Sequence, residues 1–358
     1  MHLTYRGINE AFRGLVQGIH NGSIPTTPSP SRYGDVLVIT EPLIVTYSDP
    51  KHRVLFNQAR DANCFFHLVE VLWLLAGRND VESLDYYNSR MKEFSDNGVT
   101  FHGAYGHRWR THFGHDQLAI VIDSLRKDKH SRRVVLAMWD PKVDGQGNGK
   151  DYPCNTHCYF LYNPATQCLD LTVCNRSNDT VWGLLGANIV QMSCLLEYVS
   201  LCVGLPMGVL NQATNNAHVY VNNFEPEKWL ADTTPNEYLV DKVENIRVVD
   251  GKWNDESAVH HVPLVKDSVT FDEECQQFIT MRQEAPLHNW TEPFLQTVAA
   301  PMCWAFSRHK QRLYKEALDA ASLIMADDWR IASVNWLLKR KALWEAKQSA
   351  SIQEHGHV

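Results

Sequence analysis

Asp151-Tyr152-Pro153-Cys154 and Asn175-Arg176-Ser177-Asn178-Asp179, the second running on to Gly186-Ala187-Asn188, carry the reading of this chain. Asn216-Ala217-His218-Val219-Tyr220 follows. Together they set one thiol, one arginine, one carboxylate, one amide and a His/Tyr pair between apolar runs. A core built only for stability has little use for so many polar groups. The set suits covalent chemistry on a phosphorylated ring that forms hydrogen bonds.

Residues 158–162 and 168–174 read as strands, and residues 188–203 (NIVQMSCLLEYVSLCV) as a long buried helix. Upstream, residues 65–75 (FFHLVEVLWLL) are apolar nearly all round, the pattern of a buried helix, with Glu70 in the middle. Residues 36–46 read as strand, 117–125 as amphipathic helix and 132–139 as a short strand. Pro25, Pro28 and Pro30 mark a loop. Gly145-Gln146-Gly147-Asn148-Gly149 has a phosphate-loop rhythm, but no strand feeds it and no helix opens after it, so it reads as a surface loop. Helical period returns over 299–326 and 328–345, with Asp327 as N-cap and Trp329, Ala332, Trp336 and Leu343 on one side. The domain expectation is a catalytic core at 1–225, an irregular connection at 226–295 and a helical extension at 296–358.

With 358 residues, 44% of them apolar, the chain can bury a large core. A net charge of −7 argues against a nucleic-acid surface, so any phosphate must be met by local arginines on a small substrate. No apolar run is read as long enough for a membrane span, and Met1-His2-Leu3-Thr4 opens no signal peptide. Nine irregularly spaced cysteines suggest reduced thiols, and the expected location is cytoplasmic. With no H-E-x-x-H and no paired C-x-x-C, no metal is expected, and His260-His261 and His355-x-His357 read as solvent-facing.

A lone cysteine is usually a small core hydrophobe. Cys154 differs because Arg176, in the same polar set, would lower its pKa. Arg176 and Ser177, at a bend after a strand, offer a planar cation and a hydroxyl to a phosphate. Asp179 either caps the next segment or binds a ligand, and Asn188 must find backbone or a ring edge. Arg32, and Arg132 with Arg133, pass as surface charges when read alone. Glu70 is costly where it lies, which suggests a raised pKa and acid–base work.

These residues resemble the thymidylate synthase superfamily over roughly residues 32–222. Glu70-Val71-Leu72-Trp73 looks like its E-x-x-W, and Gly103-Ala104-Tyr105-Gly106-His107-Arg108-Trp109-Arg110 is similar to its G-x-x-Y-G-x-x-W-R, one residue shorter before the tyrosine. Pro153-Cys154 matches the nucleophile, Arg176-Ser177-x-Asp179 the R-S-x-D signature, and His218-x-Tyr220 the H-x-Y that holds the sugar 3′-hydroxyl. The resemblance implies an α/β (strictly α+β) fold, a mixed twisted sheet packed with helices, here with a C-terminal helical extension. It also implies 5,10-methylenetetrahydrofolate as co-substrate and a pyrimidine nucleotide attacked at C6 by Cys154. Glu70 would move protons through water, with Tyr105 alongside. Asn188 would read the base, and Asp179, counted with the catalytic set, would bind the pterin. Arg32, Arg176 and Ser177 would hold the phosphate, joined across a homodimer by Arg132 and Arg133 of the other subunit.

Four departures bear on the product. Met91 stands where synthases carry a tryptophan that shields the methylene, a cofactor-side position. The end, Gln353-Glu354-His355-Gly356-His357-Val358, lacks the short apolar lid. Asn155 replaces the histidine after the nucleophile, and the span from Asp179 to Asn188 is one residue longer. Phage-type relatives that make modified pyrimidines look more like this version. The expectation is therefore 5-hydroxymethylation, and Asn188, where cytosine-specific relatives often have Asp, tilts the substrate toward dUMP. Open alternatives are dCMP as substrate, methylation of dUMP to dTMP, and a nucleotide-binding protein without catalysis.

Overall fold

Alternating burial builds the main sheet. In β6 (Asn155–Asn163) Cys158, Phe160 and Tyr162 turn inward while Tyr159 and Leu161 face out, and in β7 (Cys168–Asn175) Leu169, Leu171 and Val173 are fully buried. The two pair antiparallel, and β9 (Met207–Thr214) lies parallel to β7. Beyond β9 come β4 (Leu43–Tyr47), antiparallel to it, and β1 (His2–Tyr5), parallel to β4. With β5 (Val135–Ala137) on the far edge, the order is β1-β4-β9-β7-β6-β5. A smaller sheet joins β2 (Thr26–Ser29), β3 (Val36–Ile39), β10 (Ala217–Tyr220) and β8 (Asn178–Asp179) in that order. The computed structural model describes residues 1–145, 149–232, 248–249, 252–253, 260–281 and 284–355.

Two apolar helices carry the site against these sheets. The Cys64–Leu75 helix is buried on every side except at His67, and the Asn63 carboxamide caps it by accepting from Phe66 N at 3.1 Å. Helical turns Thr180–Ala187 and the helix Asn188–Val203 run end to end across a kink at Gly186. The turns before the kink are wider than those of an α-helix. By length and composition Thr180–Val203 is apolar enough to cross a membrane, contrary to the reading above, but 89% of that window is buried inside the fold. One apolar core runs from Ile8 to Leu337, so the C-terminal helices share it. The α+β architecture expected from the sequence is the one observed.

Several elements differ from their reading. Residues 36–46 form two strands in different sheets, separated at Thr40-Glu41-Pro42, where proline cannot donate to a ladder. The proline-rich segment is the edge strand β2, and Pro28 is tolerated there because one side of that strand is unpaired. The strand expected over 132–139 is only Val135–Ala137. Within the stretch read as irregular, Ser268–Met281 is a helix that buries Phe271, Cys275, Phe278 and Ile279, a spacing masked by the acids between them. Asp327 is the first residue of the final helix, Asp327–His355, and its carboxylate accepts from His260 N at 2.8 Å instead of capping. Trp329, Ala332 and Trp336 are buried, but Leu343 is exposed. His260 is exposed, whereas His261 is half-buried and stacks on His52. Residues 146–148 of the glycine loop and 356–358 of the tail lie outside the described residues.

A buried ion pair ties the central helix to Arg53, and the same carboxylate holds the segment before the C-terminal helices. Glu197 accepts from Arg53 and, at 3.1 Å, from the Leu264 backbone N–H. Glu197→Ala should destabilise the protein by about 3–5 kcal/mol in urea unfolding, because it strands the Arg53 charge. A loss no larger than that of an exposed substitution contradicts this.

Candidate active site

Cys154 sits where the chain enters β6, half-buried, with its carbonyl accepting from Arg176 N at 3.0 Å. That bond sets the nucleophile beside the R-S-N-D bend. The Arg176 guanidinium reaches Pro153 O at 2.9 Å and Tyr152 O at 3.3 Å, lies over the Trp139 ring, and stands 4.0 Å from the Cys154 Sγ. Arg176 pulls the thiol down, yet burial outweighs it and Asp151 adds to the rise, so the thiol sits above its ordinary value. The lowering expected from the arginine is present, and burial opposes it.

Behind Cys154 lies a buried cluster of amides. Asn155 is fully buried, its backbone N–H donates to the Tyr105 hydroxyl at 3.3 Å, and its side-chain oxygen accepts from Asn175. The Asn188 amide donates to Asn178 Oδ1 at 3.1 Å and to Asn155 Oδ1 at 3.4 Å. Gly183 is required beside this cluster, since a Cβ there would stand 2.1 Å from Asn178 Oδ1. Burial and the nearby Cys154 push the Tyr105 hydroxyl well above its usual range, so it is a neutral hydrogen-bonding group. Gly106, the next residue, lets this turn press on the Glu70 helix, where a Cβ would stand 2.0 Å from Leu74 O.

Glu70 joins the cluster through Gln191, one helical turn from Asn188. Burial pushes its carboxyl up to about 7, partly offset by the hydrogen bond to Gln191, and Oε2 has no protein partner. Such an acid can give and take a proton near neutrality.

The opposite wall comes from the small sheet. His218 lies beside Asp179 in the β10–β8 register, its Nδ1 is 3.0 Å from Asn216 Oδ1, and its ring packs against Tyr220 at 5.4 Å. The Ser177 hydroxyl also reaches Asn216 Oδ1, at 3.5 Å. Asp179 Oδ1 caps the next turn, accepting from Val181 N at 2.8 Å and Trp182 N at 3.0 Å. Burial raises the Asp179 carboxyl, while His218 and Arg60 oppose the rise. Both uses weighed for Asp179 thus remain compatible, since the cap employs one oxygen.

The expected phosphate ligands are less gathered. Arg32 is exposed and donates to Gly149 O at 2.9 Å, near Tyr220, whose hydroxyl bonds Ser31. Arg132 and Arg133 are exposed beside the edge strand β5, away from this chain's Cys154. Met91 opens a short turn and packs half-buried on the core, while Phe94 is exposed. Sequence reasoning missed Asn175, Asn178, Gln191, Arg60 and Trp182. Only the i, i+3 spacing of Asn188 and Gln191 on one helix could have pointed to any of them.

The thymidylate synthase family model matches residues 58–250, more than half of the chain. The chain belongs to the thymidylate synthase family. It is 37% identical over 347 residues, 96% of both chains, to a protein named deoxyuridylate hydroxymethyltransferase from Pseudomonas phage M6. It is 38% identical over 194 residues, about half of each chain, to one of the same name from Bacillus phage SP01. A putative thymidylate synthase of Methanothermobacter marburgensis is 33% identical over 147 residues, 41% of this chain and 63% of its own length. As a family member the chain is a folate-dependent one-carbon transferase that binds a nucleotide and 5,10-methylenetetrahydrofolate. The residues present fit that co-substrate: Trp182 exposes its ring beside Asp179, and the buried Arg60 Nε has no protein partner. Among the described residues no cluster of three or more His, Cys, Asp or Glu side chains could hold a metal.

Because its folded pKa is raised, Glu70 favours the fold below its unfolded value of 4.5, and that contribution is lost as pH climbs through about 7. Glu70→Gln should match the wild type near pH ~4 and exceed it by roughly 3 kcal/mol near pH ~8 in urea unfolding. Equal stability at both pH values contradicts a neutral buried carboxyl.

Proposed function

We propose that this chain hydroxymethylates dUMP at C5, taking the carbon from 5,10-methylenetetrahydrofolate. The observation that carries the reading is the junction at Cys154, which sets a nucleophile, a cation, a hydroxyl and an oriented base-reading amide within one shell. The name of the Pseudomonas phage relative, shared along nearly the whole chain, supports the product and the base. So does Met91, which leaves the reacting carbon without the tryptophan shield.

The folate supplies a one-carbon unit at the oxidation level of formaldehyde. Cys154 Sγ forms a bond to C6 of the pyrimidine, and electron density moves to C5, which is otherwise a poor nucleophile. The thiol proton leaves as the bond forms, and Arg176 stabilises the sulfur's negative charge on the way. Glu70, with a pKa near 7, is placed to shuttle protons to and from the ring edge. The net change replaces the C5 hydrogen by CH2OH and consumes one water.

The amide cluster supports uracil. Asn188 donates through its NH2 to Asn155 and Asn178, leaving its oxygen as the free acceptor. An acceptor set against N3 suits uracil, whose N3 bears a hydrogen, and opposes cytosine, whose N3 is a lone pair. Asn155 and Asn178 also each hold a buried amide nitrogen without a protein partner, suited to the O4 of uracil.

The phosphate is assigned to Arg32, Arg176 and Ser177, with Arg132 and Arg133 reaching the site of a second copy. A homodimer is supported by the outer face of the main sheet. Ile44, Val135, Tyr159 and Leu161 lie exposed there on one face of the registered strands. Intact Cys154 and Glu70 argue against a binding protein without catalysis, which would need neither.

Mass spectrometry after incubation with methylenetetrahydrofolate and dUMP should show a gain of one CH2O unit with tetrahydrofolate released, and Cys154→Ala should abolish it. Thymidylate with dihydrofolate, or turnover of dCMP in preference to dUMP, contradicts the proposal.

A further inference from the structure

The final helix lies outside residues 58–250 that the family model matches, yet it grips the segment before the Glu70 helix. Lys339 donates to Gln58 O at 2.8 Å, and Arg340 binds Asp61 through two hydrogen bonds, both 2.9 Å, while Lys339 stands 3.3 Å from the same carboxylate. The two-pronged pair fixes direction as well as distance. Asp61 has φ +58°, a left-handed conformation that costs energy for a residue with a side chain and needs support from its surroundings. The clamp provides that support. Arg340 is itself held over the Trp336 ring, which packs on Phe65 of the Glu70 helix.

The residue before Asp61 is Arg60, only 4% exposed. Its backbone N–H donates to Asn57 Oδ1 at 2.7 Å, and its guanidinium stacks 3.5 Å from the centre of the Trp182 ring and donates to Val181 O at 3.4 Å. It also faces Asp179 electrostatically. A continuous path of contacts therefore runs from the final helix through Asp61 and Arg60 to Trp182 and Asp179.

We propose that Asp61, gripped by Lys339 and Arg340, is a positioning residue through which the final helix sets Arg60 against Trp182 and Asp179, on the folate side of the site. This rests on the reading of Asp179 as the pterin-binding carboxylate. Arg60 placed this way keeps the Trp182 ring and the Asp179 carboxylate in register for a ring stacked beside them. Shifting such a wall by a fraction of an ångström weakens binding of the ligand it lines and leaves the nucleotide end untouched.

The test is steady-state kinetics of the full chain with dUMP and methylenetetrahydrofolate. Arg340→Ala should raise KM for methylenetetrahydrofolate about tenfold to a hundredfold, with KM for dUMP nearly unchanged. Arg340→Lys, which keeps charge but loses the fork, should fall between and serves if the alanine variant does not fold. Exchanging the charges, with Asp61→Arg and Arg340→Asp together, should recover part of the lost folate affinity. A variant that loses thermal stability while keeping its folate KM, or raises both KM values alike, overturns the inference. An active wild type with such variants leaves the proposed function standing. A wild type inert toward both substrates overturns that reading and this inference with it.

Discussion

Asn155 is the point on which the site turns. A fully buried amide has to be satisfied inside the protein. Here its side-chain oxygen accepts from Asn175 on the neighbouring strand and from Asn188 at the head of the central helix, and its backbone is held by Tyr105 and the strand ladder, while its amide nitrogen has no protein partner. Because Asn155 follows Cys154 directly, satisfying it also sets the nucleophile. Its oxygen takes hydrogens from both Asn175 and Asn188, so with Asn178 it sets the direction of the amide cluster. Removing that oxygen would leave Asn188 oriented by Asn178 alone and would loosen the distinction between donor and acceptor at the base edge.

The electrostatics around this hub divide the labour. Burial is the largest influence on four groups of the site, raising Cys154, Glu70, Tyr105 and Asp179. Burial thus disfavours negative charge on each of these four groups before the nucleotide arrives. Glu70 alone is brought close to neutrality, which suits the one group that must exchange protons in both directions.

Much of this was legible in the chain. The apolar helix around Glu70 and the helix opening at Asn188 declared themselves because burial on all sides leaves a continuous apolar run. The motif residues could be named because their order along the chain matches a family pattern. What stayed hidden depends on strands far apart in sequence. Asn175 and Asn178 look like turn residues until β6, β7 and β10 bring them to Asn155 and Asn188. The helix Ser268–Met281 was hidden because acidic residues separate its buried positions. Arg60 gave no local signal, since its partner Trp182 is more than a hundred residues away and its support comes from the end of the chain. At Cys154 one arginine is visible in sequence, but the burial that opposes it is a property of the assembled fold.

The central claim is a covalent bond between Cys154 and the pyrimidine. A fluorine at C5 cannot be lost as a proton, so 5-fluoro-dUMP with methylenetetrahydrofolate should halt the reaction after carbon transfer. Intact-protein mass spectrometry should then show nucleotide and folate both bound covalently, with peptide mapping placing the adduct on Cys154 and none formed by Cys154→Ser. A wild-type protein that turns over dUMP yet gives no adduct, or carries it on another residue, contradicts the account.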